Sequence, residues 1–278
     1  MESGKYFIYN EEILETGKPI FDIDNRSFRY GDGCFETMKL LNGNIVLSHY
    51  HFERLFSSLN TLKLKSASYF THSYLEEQIK NLATKNNHNR LARIRLTVFR
   101  IDDDFFENTN HSLNYVIQSW QLDDEVLKLN KAGLLTGLYK DAKKSCDNFS
   151  HIKSNNFLPY IMAVIWANEN KLDDAFLLNN FNRIADASIA NIFIVKNGKV
   201  KTPSLHEGCI AGVMRRHLIK CIKEENIPFE ETQIETEELS DAHEIFLTNA
   251  IRGIRWVKQF GKSNYGNELA KYLHKKFV

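Results

Sequence analysis

The chain has 278 residues, 43% hydrophobic and 26% charged, with a formal net charge of +1. That is a globular composition with room for two domains or one large one, and so small a net charge gives no case for nucleic acid or a membrane surface as partner. No stretch approaches the roughly 18 apolar residues needed to span a bilayer, and no long apolar run follows Met1-Glu2-Ser3-Gly4-Lys5, so neither a membrane anchor nor a signal peptide is expected.

Residues 5 to 46 read as short strands with turns. Residues 6–9 form a strand, and 38–41 followed by Asn42-Gly43 predict a hairpin into Ile45-Val46. Between them lies Arg29-Tyr30-Gly31-Asp32-Gly33-Cys34-Phe35-Glu36-Thr37, where two glycines flanking an aspartate point to a turn with unusual backbone angles. Ser48 is the expected N-cap of a helix to about Leu62, with Phe52, Leu55, Phe56 and Leu59 as its core stripe and Arg54 beside that stripe. A second helix is expected over about 71–83, then strands over 91–99 and 113–118. In the first of these strands Arg93, Arg95 and Thr97 alternate with Ile94, Leu96 and Val98, so both arginines share one face, ordinarily the solvent face.

Residues 119–130 are polar and irregular and read as a linker, dividing the chain into a smaller α/β domain, 1–118, and a larger one, 131–278. Strands near 134–139, 175–178, 192–195 and 244–247 interleave with helices over about 156–169, 213–225 and 267–275. The order is mixed α/β, too scattered for a doubly wound sheet. In the helix after Lys153, Phe157, Ile161 and Ile165 fall four apart beside Met162 and predict one buried face. Pro159 fits only the first turn, so the helix starts near Asn156 and Lys153 ends an extended segment. A lysine held there can attack a carbonyl if it is partly desolvated or near another cation.

No glycine-rich nucleotide loop, nucleophile elbow or metal-spaced histidine pair occurs. Cys34, Cys146, Cys209 and Cys221 fit no metal spacing, which makes a reduced, cytoplasmic protein the default. Two stretches suit anions or small polar ligands: Gly212 before a helix, whose first N–H groups at Val213 and Met214 suit a phosphate, and Leu247-Thr248-Asn249-Ala250 at a strand end.

His51-Phe52-Glu53-Arg54-Leu55, Lys153-Ser154-Asn155-Asn156, Ala187-Ser188-Ile189-Ala190-Asn191-Ile192-Phe193, Lys201-Thr202-Pro203, Gly212-Val213-Met214-Arg215 and Asp241 through Asn249 occur in one order along the chain. Together with the Tyr30 to Glu36 stretch, they resemble the class IV aminotransferases. These are the fold-type IV pyridoxal-phosphate enzymes: branched-chain and D-amino-acid aminotransferases and aminodeoxychorismate lyase. The resemblance implies a two-domain, D-amino-acid-aminotransferase-like architecture, pyridoxal 5'-phosphate as cofactor and a homodimer. It implies Lys153 as the catalytic, cofactor-linking lysine, Arg54, Val213 and Met214 on the phosphate, and Thr248 and Asn249 completing that cup. Asp186 takes the place, five residues before Asn191, where the family usually has a glutamate beside the pyridine nitrogen. Tyr30, Arg95 and the backbone at Ala250 and Ile251 are implied for substrate, Arg95 as a carboxylate clamp. The implied activity is amino transfer between an amino acid, branched-chain-like or D, and a 2-oxo acid. The alternatives are aminodeoxychorismate lyase, releasing pyruvate and 4-aminobenzoate, which the Gly-Asp-Gly-Cys-Phe and Thr-Asn-Ala stretches resemble more closely, and a catalytically weak cofactor-binding relative, suggested by Asp186. Phe157 and Leu158 lack the hydroxyl that branched-chain enzymes usually carry just after the lysine, and Tyr160 lies further along.

Overall fold

The computed structural model describes residues 3–20, 22–101 and 111–278; Met1 and Glu2 of the N-terminal reading lie outside them. The chain forms two compact units, Met1–Glu125 with Lys153–Asn156, and Val126–Ile152 with Phe157–Val278.

The first unit is built on β1 (Tyr6–Tyr9), β2 (Glu12–Glu15), α1 (Arg26–Tyr30), β3 (Gly33–Leu41), β4 (Asn44–Ile45), α2 (Ser48–Thr61), α3 (His72–Lys85), β5 (Leu91–Arg100) and β6 (Leu113–Gln121). Its strands form an antiparallel sheet in the order β2-β1-β6-β5-β3-β4. Alternation decides the faces. Met38, Leu40, Ile94 and Leu96 are buried, as are Phe52, Leu55 and Leu59 of α2 and Leu75, Ile79 and Leu82 of α3. α2 packs on β3, and α3 on β1 and β6. Each such side chain contributes about 1.5–3 kcal/mol by leaving water. Phe56 is only half-buried. Ser48 is not the N-cap of α2: Leu47 holds that place with φ 58°, and the Ser48 hydroxyl instead meets His72 Nε2 at 2.9 Å. The expected linker begins as strand, because β6 runs on to Gln121, and a 3-10 turn covers Asp124–Leu127.

The second unit contains β7 (Leu134–Lys144), α4 (Leu158–Glu169), β8 (Asp174–Asn179), β9 (Ile184–Ala187), β10 (Asn191–Lys196), β11 (Lys199–Pro203), α5 (Val213–Glu224), β12 (Phe229–Thr232), α6 (Thr236–Ser240), β13 (Glu244–Asn249), β14 (Gly253–Phe260), β15 (Ser263–Asn264) and α7 (Glu268–Phe277). Its sheet runs β12-β11-β10-β13-β14-β7-β8-β9, with β15 on β14. The pairs β11/β12, β14/β7 and β7/β8 are parallel and the others antiparallel, a mixed sheet whose helices and strands bear out the mixed α/β order expected. β10 and β13 lie side by side, with Phe193 and Phe246 stacked at 5.1 Å.

The face of α4 is a correction. Tyr160, Ala163 and Ala167 are buried and the helix packs on β7 and β8, whereas Ile161 is 49%, Met162 40% and Ile165 42% exposed. The helix is apolar nearly all round, so periodicity cannot choose its inner side. The alanine side lets the backbone approach the sheet closely.

Candidate active site

In the first unit, Lys153 lies on a short extended segment beside β3. Phe35 N donates to Lys153 O at 2.9 Å, Asn155 N donates to Gly33 O at 3.0 Å, and Ser154 pairs with Cys34. A glycine is required at 33, since a Cβ there would sit 2.3 Å from Val98 O and 2.6 Å from Asn155 Nδ2. Gly31, with φ of 69°, makes the left-handed turn that ends α1. The half-buried Lys153 sets Nζ 4.7 Å over the Phe35 ring, and the Arg95 guanidinium meets the same ring at 3.8 Å. Tyr30 ends α1, 46% exposed, with Arg29 over its ring at 5.3 Å.

Arg54 projects from α2 into a two-pronged pair with Glu36: Nε donates to Oε1 at 2.7 Å and Nη2 to Oε2 at 2.6 Å. His51, one turn earlier on α2, meets the same Oε2 through Nδ1 at 2.6 Å. A carboxylate only accepts, so Nδ1 carries the proton. Burial alone would raise the Glu36 carboxyl, but Arg54 and His51 outweigh it and hold it at about 2. Glu36 and His51 form one cluster with Arg54, and the sequence reading gave neither a role. The signals were present: His51 precedes Arg54 by three on a helix, and Glu36 alternates with Phe35 on β3.

In the second unit, Asp186 is 1% exposed on β9. Its Oδ2 accepts from the Tyr160 hydroxyl at 2.9 Å and from Ile210 N at 2.8 Å, and its Oδ1 from Asn191 Nδ2 at 2.8 Å. Burial pushes its carboxyl up to about 6, against the Ile210 N–H, the nearby Lys144 charge, Tyr160 and Asn191. Lys144 Nζ lies 4.7 Å over the Tyr160 ring. Tyr160 and Lys144 had no role in the sequence reading, because a single aspartate does not reveal its donors.

Asn191 ties this carboxylate to the start of α5. A Cβ on Gly212 would fall 1.8 Å from Asn191 Oδ1, so only glycine lets the helix begin here. Gly212 offers no side-chain cap, and Val213 and Met214 are buried in the first turn, whose N–H groups have no partner within a helix. Directly across the ladder from Asn191 is Thr248, 2% exposed, whose Oγ1 has no hydrogen-bond partner among the described residues. Buried hydroxyls rarely stay unpaired. An orphan hydroxyl beside an uncapped helix start fits a phosphate, and a buried carboxylate within the same hydrogen-bonded cluster fits a cationic ring nitrogen. The unit's residues therefore fit pyridoxal phosphate.

Asn249 shapes the following turn. Its Oδ1 accepts from Ile251 N at 3.1 Å and from Arg252 N at 2.8 Å, and its Nδ2 approaches Ile189 O at 3.4 Å. Ile251 N–H is thus occupied by a side chain of its own turn, while Ala250 is half-buried beside it. Among the described residues no group of three or more His, Cys, Asp or Glu can hold a metal, and no helix is long and apolar enough to cross a membrane.

The family model "Amino-transferase class IV" matches residues 33–260, and the chain belongs to that family, whose members use pyridoxal phosphate. It is 26% identical over 261 residues to an aminodeoxychorismate lyase of Bacillus subtilis, covering 93% of this chain and 88% of that one. It is 24% identical over 258 residues to a D-alanine aminotransferase of Listeria monocytogenes, covering 87% and 83%. The fold matches the branched-chain aminotransferase of the archaeon Thermoproteus uzoniensis, solved with norvaline, at a TM-score of 0.87, with 20% identity, covering 99% of this chain and 93% of that one.

Proposed function

We propose that the chain binds pyridoxal 5'-phosphate and transfers an amino group between an amino acid and a 2-oxo acid. The observation that carries this is the second unit's pairing of a buried carboxylate, Asp186, with an anion cup at Val213, Met214 and Thr248, recognition groups for the two ends of that cofactor. When bound, the cofactor supplies an electron sink for the bonds at the substrate α-carbon. Lys153 Nζ would hold the cofactor and would carry a proton to and from that carbon. Arg54, steadied by Glu36 and His51, gives charge-assisted hydrogen bonds to the phosphate. Asp186 would hold a proton on the ring nitrogen, and Asn249 shapes the turn at Ala250 and Ile251. Tyr30 and Arg95 take the substrate, Arg95 through its carboxylate. Residues 131–278 act as the cofactor-binding domain.

The chain works as a homodimer. Leu158, Ile161, Met162 and Ile165 make an exposed apolar edge on α4 that a second copy would cover. Sedimentation showing only monomer would remove that part. All four cysteines are free, as suits the reducing cytoplasm; recovery of the protein in a secreted fraction would count against it. The similarity to the Bacillus subtilis relative supports a second activity, release of pyruvate and 4-aminobenzoate from aminodeoxychorismate. The deciding experiment offers the purified protein an amino acid with 2-oxoglutarate and, separately, aminodeoxychorismate. Consumption of the first pair supports the aminotransferase, and consumption of aminodeoxychorismate alone supports the lyase. With neither consumed, the protein is a weak cofactor-binding relative.

A further inference from the structure

The second unit holds an inward-facing ammonium with no anion in contact. β7 shifts register between Tyr139 and Lys143, a bulge of the kind that re-aims side chains. Past it, Asp141 and Lys143 stay exposed while Ala142 and Lys144 are half-buried. Lys144 Nζ lies 4.7 Å over the Tyr160 ring, and among the described residues Lys144 makes no side-chain hydrogen bond or ion pair. Tyr160 is 3% exposed and stacked on Phe157 at 4.4 Å, and its one proton is committed to Asp186 Oδ2. The titratable groups around Lys144 are Asp186, Asp147 and the thiols of Cys146 and Cys209. Burial lowers the amine from its ordinary value, and these groups oppose that shift. A ring face compensates a half-buried ammonium only weakly, and a hydrogen-bonding anion would do so far better.

Asp186 has two flanks. Its Oδ1 goes to Asn191, which abuts Gly212 and the anion cup, and its Oδ2 to Tyr160, the ring under Lys144. Pyridoxal phosphate has a matching asymmetry. On its ring the phosphate-bearing carbon lies to one side of the nitrogen, and the carbon with the phenolic oxygen lies to the other. With the nitrogen at Asp186 and the phosphate at the cup, the phenolic oxygen belongs to the Tyr160 and Lys144 flank. A phenol on a cationic pyridine ring is acidic, so this oxygen is negative at neutral pH and needs a donor. The Tyr160 hydroxyl already donates to Asp186. Resting on the pyridoxal-phosphate assignment above, we propose that Lys144 is a further cofactor-binding residue, whose ammonium pairs with the phenolate oxygen of the pyridine ring. The flexible four-carbon stem lets the amine leave the Tyr160 face for that oxygen without backbone movement.

The test is calorimetric titration of the cofactor-free full chain with pyridoxal phosphate and with 3-deoxypyridoxal phosphate, which lacks only the phenolic oxygen. The parent should prefer pyridoxal phosphate. In Lys144→Met, which keeps the apolar stem, that preference should shrink roughly ten- to a hundredfold, the worth of one charge-assisted contact. Comparing the two ratios cancels whatever else the oxygen does within the cofactor itself. Lys144→Gln should do the same and serves if the first variant is unstable. Equal affinities in the parent overturn the inference. So does an undiminished preference in both variants, even where both affinities drop together, and Lys144 then serves Asp186 and Tyr160 alone. Pyridoxal phosphate binding with either of these outcomes overturns this inference only, and no binding of either compound by the parent overturns the assignment beneath it.

Discussion

The Tyr160 hydroxyl donates to Oδ2 of Asp186 at 2.9 Å, inside a cage completed by Ile210 N and Asn191 Nδ2. An aspartate is one methylene shorter than the glutamate usual in this family. Here the shorter side chain is held by three donors and a nearby lysine, so its position is fixed by the protein. Tyr160→Phe removes a hydrogen bond to a charged group, worth about 1.5–3 kcal/mol. Stability should fall more at pH 7.5, where Asp186 is ionised, than at pH 5. Urea unfolding at the two pH values checks this, and an equal loss at both would show that the hydroxyl does not serve the carboxylate.

Asp186 itself makes the cofactor-free chain sensitive to pH. Its carboxyl lies at about 6 in the fold against an ordinary 3.8, so between these values the folded state holds more protons than the unfolded one. The stabilising effect of the protonated form is complete below about pH 3.8 and is lost as pH rises through about 6. At roughly 1.4 kcal/mol per pH unit, the loss is on the order of 3 kcal/mol. In Asp186→Asn this component should vanish, which a comparison of the two stability profiles from pH 4 to 8 will show. With cofactor loaded, the same variant should lose turnover far more than cofactor affinity, because the phosphate cup is untouched. Equal turnover would remove Asp186 from the site.

Arg54 has two tasks, and the variants separate them. Arg54→Ala leaves the buried Glu36 carboxylate to His51, and should cost about 3–5 kcal/mol. Adding Glu36→Gln should recover a good part of that stability and none of the cofactor affinity. Cofactor affinity should fall roughly ten- to a hundredfold in both. Restored affinity in the double variant would mean that Arg54 serves only Glu36. The Glu36 pairing contributes above the usual glutamate value and is lost as pH falls toward about 2.

Gly212→Ala should disturb both halves of the second unit's cluster. The new Cβ must displace Asn191, whose Nδ2 also bonds Asp186 and Ile210 O. We expect weaker cofactor binding and a stability loss of about 1–3 kcal/mol, as for other overpacked positions. A titration of pyridoxal phosphate against visible absorbance reads the first and urea unfolding the second; parent-like values in both would mean the backbone yields without cost.

Local rules located much of this in the sequence. Apolar spacing placed α2, α3 and α5, and Gly212 before an apolar stripe marked the helix start. Asp186 was reached by counting back from Asn191 within a resembling motif. Its donors were not legible, since Tyr160 and Ile210 come to it through sheet pairing and helix packing, 26 and 24 residues away. β9 was missed because Ile-Ala-Asp-Ala has little strand character of its own. The inner face of α4 was misjudged because burial there follows small residues. Ser48 was misassigned as a cap because the capping preference belongs to the residue before the helix, and Leu47 occupies that place in a left-handed conformation.

The most direct measurement is the site of covalent attachment. The purified chain, loaded with pyridoxal phosphate and reduced with borohydride, is digested and its peptides are weighed. The pyridoxyl group should be found on Lys153, the residue whose carbonyl pairs with Phe35 and whose amine lies over that ring. A label on another lysine such as Lys144, or no label at all, would contradict the account.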